Sequence, residues 1–372
     1  MIEIDFDHQI FSLQQFGGAT RYFMNLGQAL IVNPEVRLRL SLGIYDKSFI
    51  YESLHPHIFG LSNNYFRLGH GLLRFSINEI FAHSIRAATR TVAKSRVHHC
   101  TYMYPVHLTR NVPLVVTHHD CTLERFKSQF RRSSLTIALK QRIYQRADKI
   151  IAISNHSKSD LMEYYKIPEN KIQVVYHGLE KPILRHLAAK PFNLNQNSNI
   201  LYVGARTFYK NFKLLLQAFA CSKAKWDFNL TAVGGGAFTQ EEVALMRNLG
   251  IEERVECVPY ALQSELAWLY YNSHLMVYPS KYEGFGFPPL EAMSASCPTL
   301  VAKASCLPEI LGDGVLYFES ENSDDLKEKL DLLAYDTTLR AALIKTGGEI
   351  IKKYTWEKSA SQTLDVYNSA IG

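Results

Sequence analysis

The chain reads as two α/β domains, each a parallel sheet with helices on both faces. Three observations predict this. Short apolar runs alternate with helix-period segments from end to end. The runs fall into two series, one ending near Val175 and one beginning near Ile200. Between them, from Gly178 to Asn199, periodicity gives way to Lys181-Pro-Ile, Lys190-Pro-Phe and Asn193-Leu-Asn-Gln-Asn-Ser-Asn, a polar, proline-marked linker. At 372 residues the chain also exceeds what a single core usually fills.

In the first series Ile2–Phe6, Leu38–Ile44, Leu114–Thr117, Lys149–Ile153 and Ile172–Val175 are expected strands. The second series is Ile200–Val203, Asn229–Val233, Val255–Val258, Leu275–Tyr278, Thr299–Ala302 and Val315–Phe318. Helical patterns such as Asn211–Ala220, Ser264–Asn272 and Asp324–Leu333 lie between them. Near the end, Thr355 reads as an N-cap, with Lys358 where a full capping box would have Glu. Trp356, Ala360, Leu364 and Tyr367 then repeat at helical spacing, so one face of a last helix packs on something. The expected domains are 1–180, joined by the helix at 355–372, and 181–354, two Rossmann-like units facing across a cleft.

Composition narrows the class. A hydrophobic fraction of 47% and a charged fraction of 20% are those of a soluble globular protein. No apolar run approaches a bilayer span, and Met1-Ile-Glu-Ile-Asp-Phe-Asp reads as a strand rather than a basic leader; a cytoplasmic protein is expected. Six cysteines at 100, 121, 221, 257, 297 and 306 form no Cys-x2-Cys pair, which predicts buried reduced thiols rather than a zinc site. The net charge of +6 is uneven: from Leu123 to Ala147, Glu124 stands against Arg125, Lys127, Arg131, Arg132, Lys140, Arg142 and Arg146, with Phe126 and Phe130 interleaved. This stretch reads either as a patch for anionic lipid or a phosphorylated acceptor, or as a solvated helix face. No nucleic-acid-binding motif accompanies it.

Chemistry concentrates in Lys281-Tyr-Glu-Gly-Phe-Gly-Phe-Pro-Pro-Leu-Glu-Ala. The apolar run His274–Tyr278 reads as a buried strand, and Pro288 and Pro289 open a helix, where no amide donor is needed. Glu283 is therefore expected on the loop at the carboxyl end of a strand, and Glu291 in the first turn of the next helix. Gly284 and Gly286 leave backbone amides bare beside them. Ligands dock at such loops in open α/β sheets, and two carboxylates suit a polyol because each accepts from two hydroxyls. A second constellation, Tyr202-Val-Gly-Ala-Arg-Thr-Phe-Tyr-Lys-Asn, puts Arg206 and Lys210 after another strand. Two cations there fit a diphosphate, whose charge grows as it departs.

These motifs, with Leu307-Pro-Glu-Ile, resemble the donor domain of retaining glycosyltransferases of the GT-B fold, family-four type. The first half is similar too, in Gly17-Gly-Ala-Thr-Arg-Tyr-Phe, Thr117-His-His-Asp, Ile153-Ser-Asn-His-Ser-Lys-Ser-Asp-Leu and Val175-Tyr-His-Gly-Leu-Glu, so the resemblance covers nearly the whole chain. It implies that Arg206 and Lys210 hold the donor diphosphate, that Glu291 binds the ribose hydroxyls, and that Glu283 lies near the transferred sugar beside the amides of Gly284, Phe285 and Gly286. It implies that His119 touches the sugar from the opposite domain and that Gly17 and Gly18 form a loop near acceptor and phosphate. Tyr209 departs from the family's Arg-Lys-Asn, so Arg206 would do that arginine's work; Cys297 and Ala19 replace a common glycine and isoleucine.

The resemblance further implies metal-independent transfer with no cofactor beyond a nucleotide diphosphate sugar as co-substrate. GDP-mannose is the first expected donor, with UDP- or dTDP-sugars as alternatives. The expected acceptor is a glycan or a polyprenyl-diphosphate-linked oligosaccharide of bacterial surface polysaccharide, O-antigen or capsule. The basic stretch, and Tyr65-Phe-Arg-Leu-Gly-His-Gly-Leu-Leu-Arg-Phe, are candidate contacts with the inner membrane face. The rival readings are a nucleotide-sugar epimerase or phosphorylase of GT-B-like fold, and a non-catalytic sugar-binding protein. Three lesser motifs remain. Asp5-Phe-Asp7 looks like a metal-binding pair but reads better as a strand-edge charge pair. His98-His99 and His118-His119 point to opposite faces of their strands. Gly234-Gly-Gly reads as a turn at a strand end.

Overall fold

The three-dimensional structure, a computed structural model, describes residues 1–14, 17–47, 50–62, 71–88, 96–104, 112–130, 133–180 and 198–372. The chain divides into two compact units, Met1–Gly178 with Thr355–Gly372, and Leu179–Tyr354. Residues 65–70 of the second candidate membrane stretch, residues 181–197 of the linker, and Arg131 and Arg132 lie outside the described residues.

The first unit carries β1 (Ile2–Asp7), β2 (Val36–Tyr45), β3 (Ile58–Ser62), β4 (Arg96–Cys100), β5 (Leu114–His118), β6 (Lys149–Ala152) and β7 (Ile172–Val174), in the order β3-β2-β1-β4-β5-β6-β7. The second carries β8 (Asn199–Val203), β9 (Asn229–Val233), β10 (Val255–Val258), β11 (Leu275–Tyr278), β12 (Thr299–Ala302) and β13 (Leu316–Phe318), in the order β10-β9-β8-β11-β12-β13. Every pairing is parallel. In both sheets the first three strands step outward to one side and the fourth returns to pair with the first. That reversal is the doubly wound switch point, where loops diverge and leave a crevice at the carboxyl ends.

Helices cover the sheets because their apolar stripes match sheet faces left fully buried. In the second unit Ile200, Tyr202, Leu230, Val277 and Leu300 meet Leu215, Phe219, Leu326 and Leu330 from the helices Phe212–Cys221 and Ser323–Tyr335. In the first, Ile4, Phe6, Leu40 and Val115 share a core with Phe23 and Leu26 of the helix Gly18–Leu30, and with Ala360, Val366 and Tyr367 of the last helix, Trp356–Ile371. Each such side chain, taken fully out of water, contributes about 1.5–3 kcal/mol. The Thr355 hydroxyl accepts from the Lys358 amide at 3.2 Å and caps the last helix.

Several expectations need correction. Strands β3 and β4 lie outside the expected set. Asp5 and Asp7 are not at a strand edge: β1 is interior, between β2 and β4, and both carboxylates are buried around the His98 ring, at 3.1 and 3.5 Å. Four cysteines are buried, but Cys221 is exposed and Cys257 half-buried; none is in a disulfide. Lys140 leaves the basic surface, because it is buried and paired with Glu124 at 2.7 Å. No helix among the described residues is long and apolar enough to cross a membrane.

Candidate functional site

The switch point of the second unit lies between β8 and β11, and the loops leaving these two strands carry Arg206, Lys210 and Glu283. After β8 the chain makes a tight turn, Phe208–Lys210, and Asn211 adopts a left-handed conformation (φ 58°) that starts the helix Phe212–Cys221. After β11 it runs through Pro279 to Glu283. The loops are tied where the Lys281 amide donates to the Tyr209 carbonyl at 2.8 Å. Lys210 Nζ thereby reaches Glu283 Oε1 at 2.5 Å and Tyr278 Oη at 3.0 Å, and the tyrosine hydroxyl donates to the same Oε1 at 2.6 Å. The Glu283 amide donates to Ser305 Oγ at 2.9 Å, and the Cys306 thiol donates to the Glu283 carbonyl at 3.2 Å. Beside Lys210, Asn211 Nδ2 is buried without a hydrogen-bond partner among the described residues. A cation and a carboxylate thus meet at the carboxyl end of the sheet, the region where open α/β sheets take their ligands.

The next helix spans Phe287–Ser294, with Gly286 at its N-cap in a left-handed conformation (φ 93°). Pro288 and Pro289 occupy its second and third positions, which the first turn tolerates because those amides have no intrahelical acceptor. Glu291 is therefore the fifth helical residue and sits past the first turn rather than in it; no acid lies in that turn. Its Oε2 accepts from Tyr270 Oη at 3.0 Å. The Phe285 ring is buried against Phe287 and Tyr354, at 5.2 and 5.7 Å between centroids.

Arg206 is occupied elsewhere. Its Nε donates to Glu242 at 2.8 Å, Nη1 to the Gly234 carbonyl at 2.5 Å, and Nη2 to the carbonyls of Gly236 and Ala237 at 3.1 and 2.7 Å. Four of the five donors of a guanidinium are so used, and the group braces the loop after β9. That loop is the Gly234-Gly-Gly turn, with all three glycines at positive φ between 78° and 91°. Lys210 is the cation that the structure brings to Glu283.

His119, Gly17 and Gly18 belong to the first unit. Gly17 is the N-cap of the helix Gly18–Leu30, and a Cβ there would collide with the Gln14 side chain. His119 follows β5, with its ring 5.6 Å from Tyr22 on that helix and 6.1 Å from His177. Its Nε2 is buried without a hydrogen-bond partner among the described residues. Burial lowers its pKa to about 4, with Asp120 opposing and Lys140 adding, so the ring is neutral at neutral pH. Lys140 Nζ also donates to the Asp120 carbonyl at 3.0 Å and fixes the residue after it. Among the described residues no group of three His, Cys, Asp or Glu side chains is arranged to hold a metal ion.

Sequence reasoning missed Tyr278, Tyr270 and Ser305. Tyr278 had a signal: it is the last residue of β11, immediately before Pro279, and so stands at the carboxyl edge of the sheet. Ser305 had none, since only the fold brings it to Glu283 (φ 48°).

Comparison with known proteins follows the two units. A family model described as Glycosyltransferase Family 4 matches residues 16–181, and one described as Glycosyl transferases group 1 matches residues 187–349. An uncharacterized glycosyltransferase of Methanocaldococcus jannaschii is 32% identical over 225 residues, 59% of this chain and 59% of the relative. The O-antigen chain mannosyltransferase B of Escherichia coli is 25% identical over 230 residues, 59% of this chain and 60% of the relative. Both matches span less than two thirds of the relatives' lengths. Among solved structures, Anabaena HepE in complex with UDP and glucose superposes with a TM-score of 0.75 at 17% identity, covering 99% of this chain and 100% of that one; at that identity the likeness shows the fold.

Proposed function

We propose a donor, an acceptor class and a mechanism for a chain that belongs to the GT-B glycosyltransferases, its first half in Glycosyltransferase Family 4 and its second in the group 1 transferases. The reaction is transfer of a hexose, with retention of anomeric configuration, from a nucleotide diphosphate sugar to a glycan or polyprenyl-diphosphate-linked acceptor in surface polysaccharide assembly. The observation that carries it is the Lys210–Glu283 pair, 2.5 Å apart at the switch point of the second unit. The mannosyl transfer named for the E. coli relative favours mannose as the sugar, and GDP-mannose is the donor we propose; the UDP in the Anabaena structure makes a UDP-sugar the alternative.

In the proposed displacement the bond from the sugar C1 to the diphosphate oxygen breaks while the acceptor oxygen bonds to C1 on the same face. The acceptor proton passes to a phosphate oxygen of the departing diphosphate. Lys210 stabilises the charge that grows there, an interaction stronger in the transition state than in the ground state. Glu283 orients the sugar hydroxyls, with the main chain of 284–286 beside it, and Glu291 takes the ribose. His119 serves the sugar as a neutral acceptor. Arg206 acts through the loop it braces. No metal is required in this scheme, so excess chelator should leave turnover unchanged.

A thermal-shift panel of UDP, GDP, dTDP, ADP and CDP tests the reading. The matched diphosphate at a hundred times its Kd adds about 2.7 kcal/mol and raises the melting temperature. If none of the five moves it, the donor site is misassigned. The exposed Arg125, Lys127, Arg142 and Arg146 support a peripheral contact with an anionic membrane face. That contact predicts co-sedimentation with phosphatidylglycerol vesicles at low salt and release at high salt; protein left in the supernatant at low salt removes it.

A further inference from the structure

We infer that Tyr278 is a positioning residue of the donor site, which keeps Glu283 aimed once a diphosphate has engaged Lys210. The inference rests on the glycosyltransferase reading above. Glu283 is held in two separate ways. Its main chain is fixed by Ser305 and Cys306. Its carboxylate direction is set by Lys210 and Tyr278, which both contact Oε1, at 2.5 and 2.6 Å. The tyrosine hydroxyl also accepts from Lys210 at 3.0 Å, so one phenol oxygen sets the spacing of cation and carboxylate.

The two partners respond differently to a donor. A diphosphate carries more negative charge than one carboxylate and draws the lysine ammonium, a flexible point charge. Tyr278 cannot follow. Its ring is only 1% exposed, at the end of β11, which is hemmed in by β8 and β12. Burial, with the Glu283 charge and its hydrogen bond adding to it, pushes the phenol pKa well above its ordinary value, so the hydroxyl stays a neutral donor at any working pH. When the lysine turns to phosphate, the tyrosine is the contact that remains on Oε1.

Tyr278→Phe keeps the ring and removes this contact. Three variants of the full chain, Y278F, E283Q and Y278F/E283Q, are compared with wild type by calorimetric titration with the nucleoside diphosphate picked by the panel. A second readout is the release of that diphosphate from its own nucleotide hexose (GDP-mannose for GDP, UDP-glucose for UDP, and the corresponding glucose ester for dTDP, ADP or CDP) in water, the slow reaction that needs no acceptor. Expected for Y278F are an unchanged melting temperature, diphosphate affinity within threefold of wild type, and a release rate at least tenfold lower. In the E283Q background the same substitution should lower the rate less than twofold, because the group it positions is already disabled. A wild-type rate in Y278F overturns the inference, and so does a loss that multiplies fully onto that of E283Q. Diphosphate affinity and melting temperature falling together would mark a packing role and equally sink it. If no nucleoside diphosphate binds wild type at all, the donor-site reading fails first and takes this assignment with it.

Discussion

At Lys210 the charge is already balanced by Glu283 at 2.5 Å, so a diphosphate must compete for an engaged ammonium rather than meet a bare one. Lys210→Ala therefore deletes one charged contact to phosphate and also leaves Glu283 unneutralised. A charged hydrogen bond contributes about 1.5–3 kcal/mol, so affinity for the nucleoside diphosphate should fall roughly 10- to 150-fold. Affinity for the free nucleoside should stay as it is. Titration calorimetry with both ligands checks this, and an equal loss for both would contradict a phosphate contact. Arg206 makes the opposite case. Its side chain is 3% exposed and serves Glu242 and three loop carbonyls. Arg206→Ala takes the cation from Glu242, whose other oxygen still accepts from the Thr239 amide at 2.8 Å; breaking a buried pair costs about 3–5 kcal/mol, and with Glu242 17% exposed the expected loss lies at the lower end. Denaturant unfolding of the variant reads it. A fully stable R206A that has lost diphosphate affinity would return this arginine to the ligand.

The element that sets the site is the loop and helix from Glu283 to Ser294, and Gly286 makes the turn between them. At φ 93° a side chain is strained, and a Cβ there would lie 2.7 Å from Leu307 Cδ2. Gly286→Ala should destabilise the chain by about 1–3 kcal/mol and weaken diphosphate binding, because loop and helix must shift together. Urea unfolding and the same titration measure both, and an unaltered G286A would mean that the loop tolerates a different path. Much of this element is legible in the amino-acid order: an apolar strand, glycines, two prolines and a spaced acid pair need no partner to be read. What escapes depends on contacts distant in the chain. Helix entry at Phe287 rather than at the prolines moves Glu291 beyond the first turn. Strand β3 is an edge strand with alternating, partly exposed residues, and β4 reads Arg-Val-His-His-Cys, a polar string made buriable by Asp5, Asp7, Thr117 and Tyr367. Arg206 follows the motif in sequence, yet the loop after β9 takes its hydrogen bonds.

Over the whole molecule the two units differ in how they meet acid. The first buries His99, His118 and His177. Desolvation lowers all three, His99 to about 3 and the others well below 6.5, with Lys140 adding to the effect at His118 and Asp7 opposing it at His99. Above pH 6.5 these rings are neutral folded or unfolded and contribute no pH dependence. Below it the unfolded chain takes up protons that the native rings refuse, so stability falls as pH drops from 6.5 toward the depressed native values. Each histidine contributes about 1.4 kcal/mol per pH unit, and three together cost on the order of 4 kcal/mol by pH 5.5. Asp7 adds a later phase. Burial alone would raise its carboxyl, but His98, His8 and Thr101 together bring it well below the usual range, so its contribution, present above about pH 4, is lost in stronger acid. In the second unit His274 is half-buried, lowered by desolvation against the Ala334 carbonyl it meets, and no comparable set surrounds it among the described residues. Trp356 lies in the first unit, with its ring 6.1 Å from His177, whereas Trp226 and Trp268 lie in the second. In a chain carrying W226F and W268F, the urea midpoint followed by Trp356 fluorescence should fall steeply between pH 7.5 and 5.5, while thiol exposure at Cys297 of the second unit moves much less. A flat Trp356 midpoint over that range would mean that the buried rings accept their protons in place, against the desolvation on which the account of this unit depends.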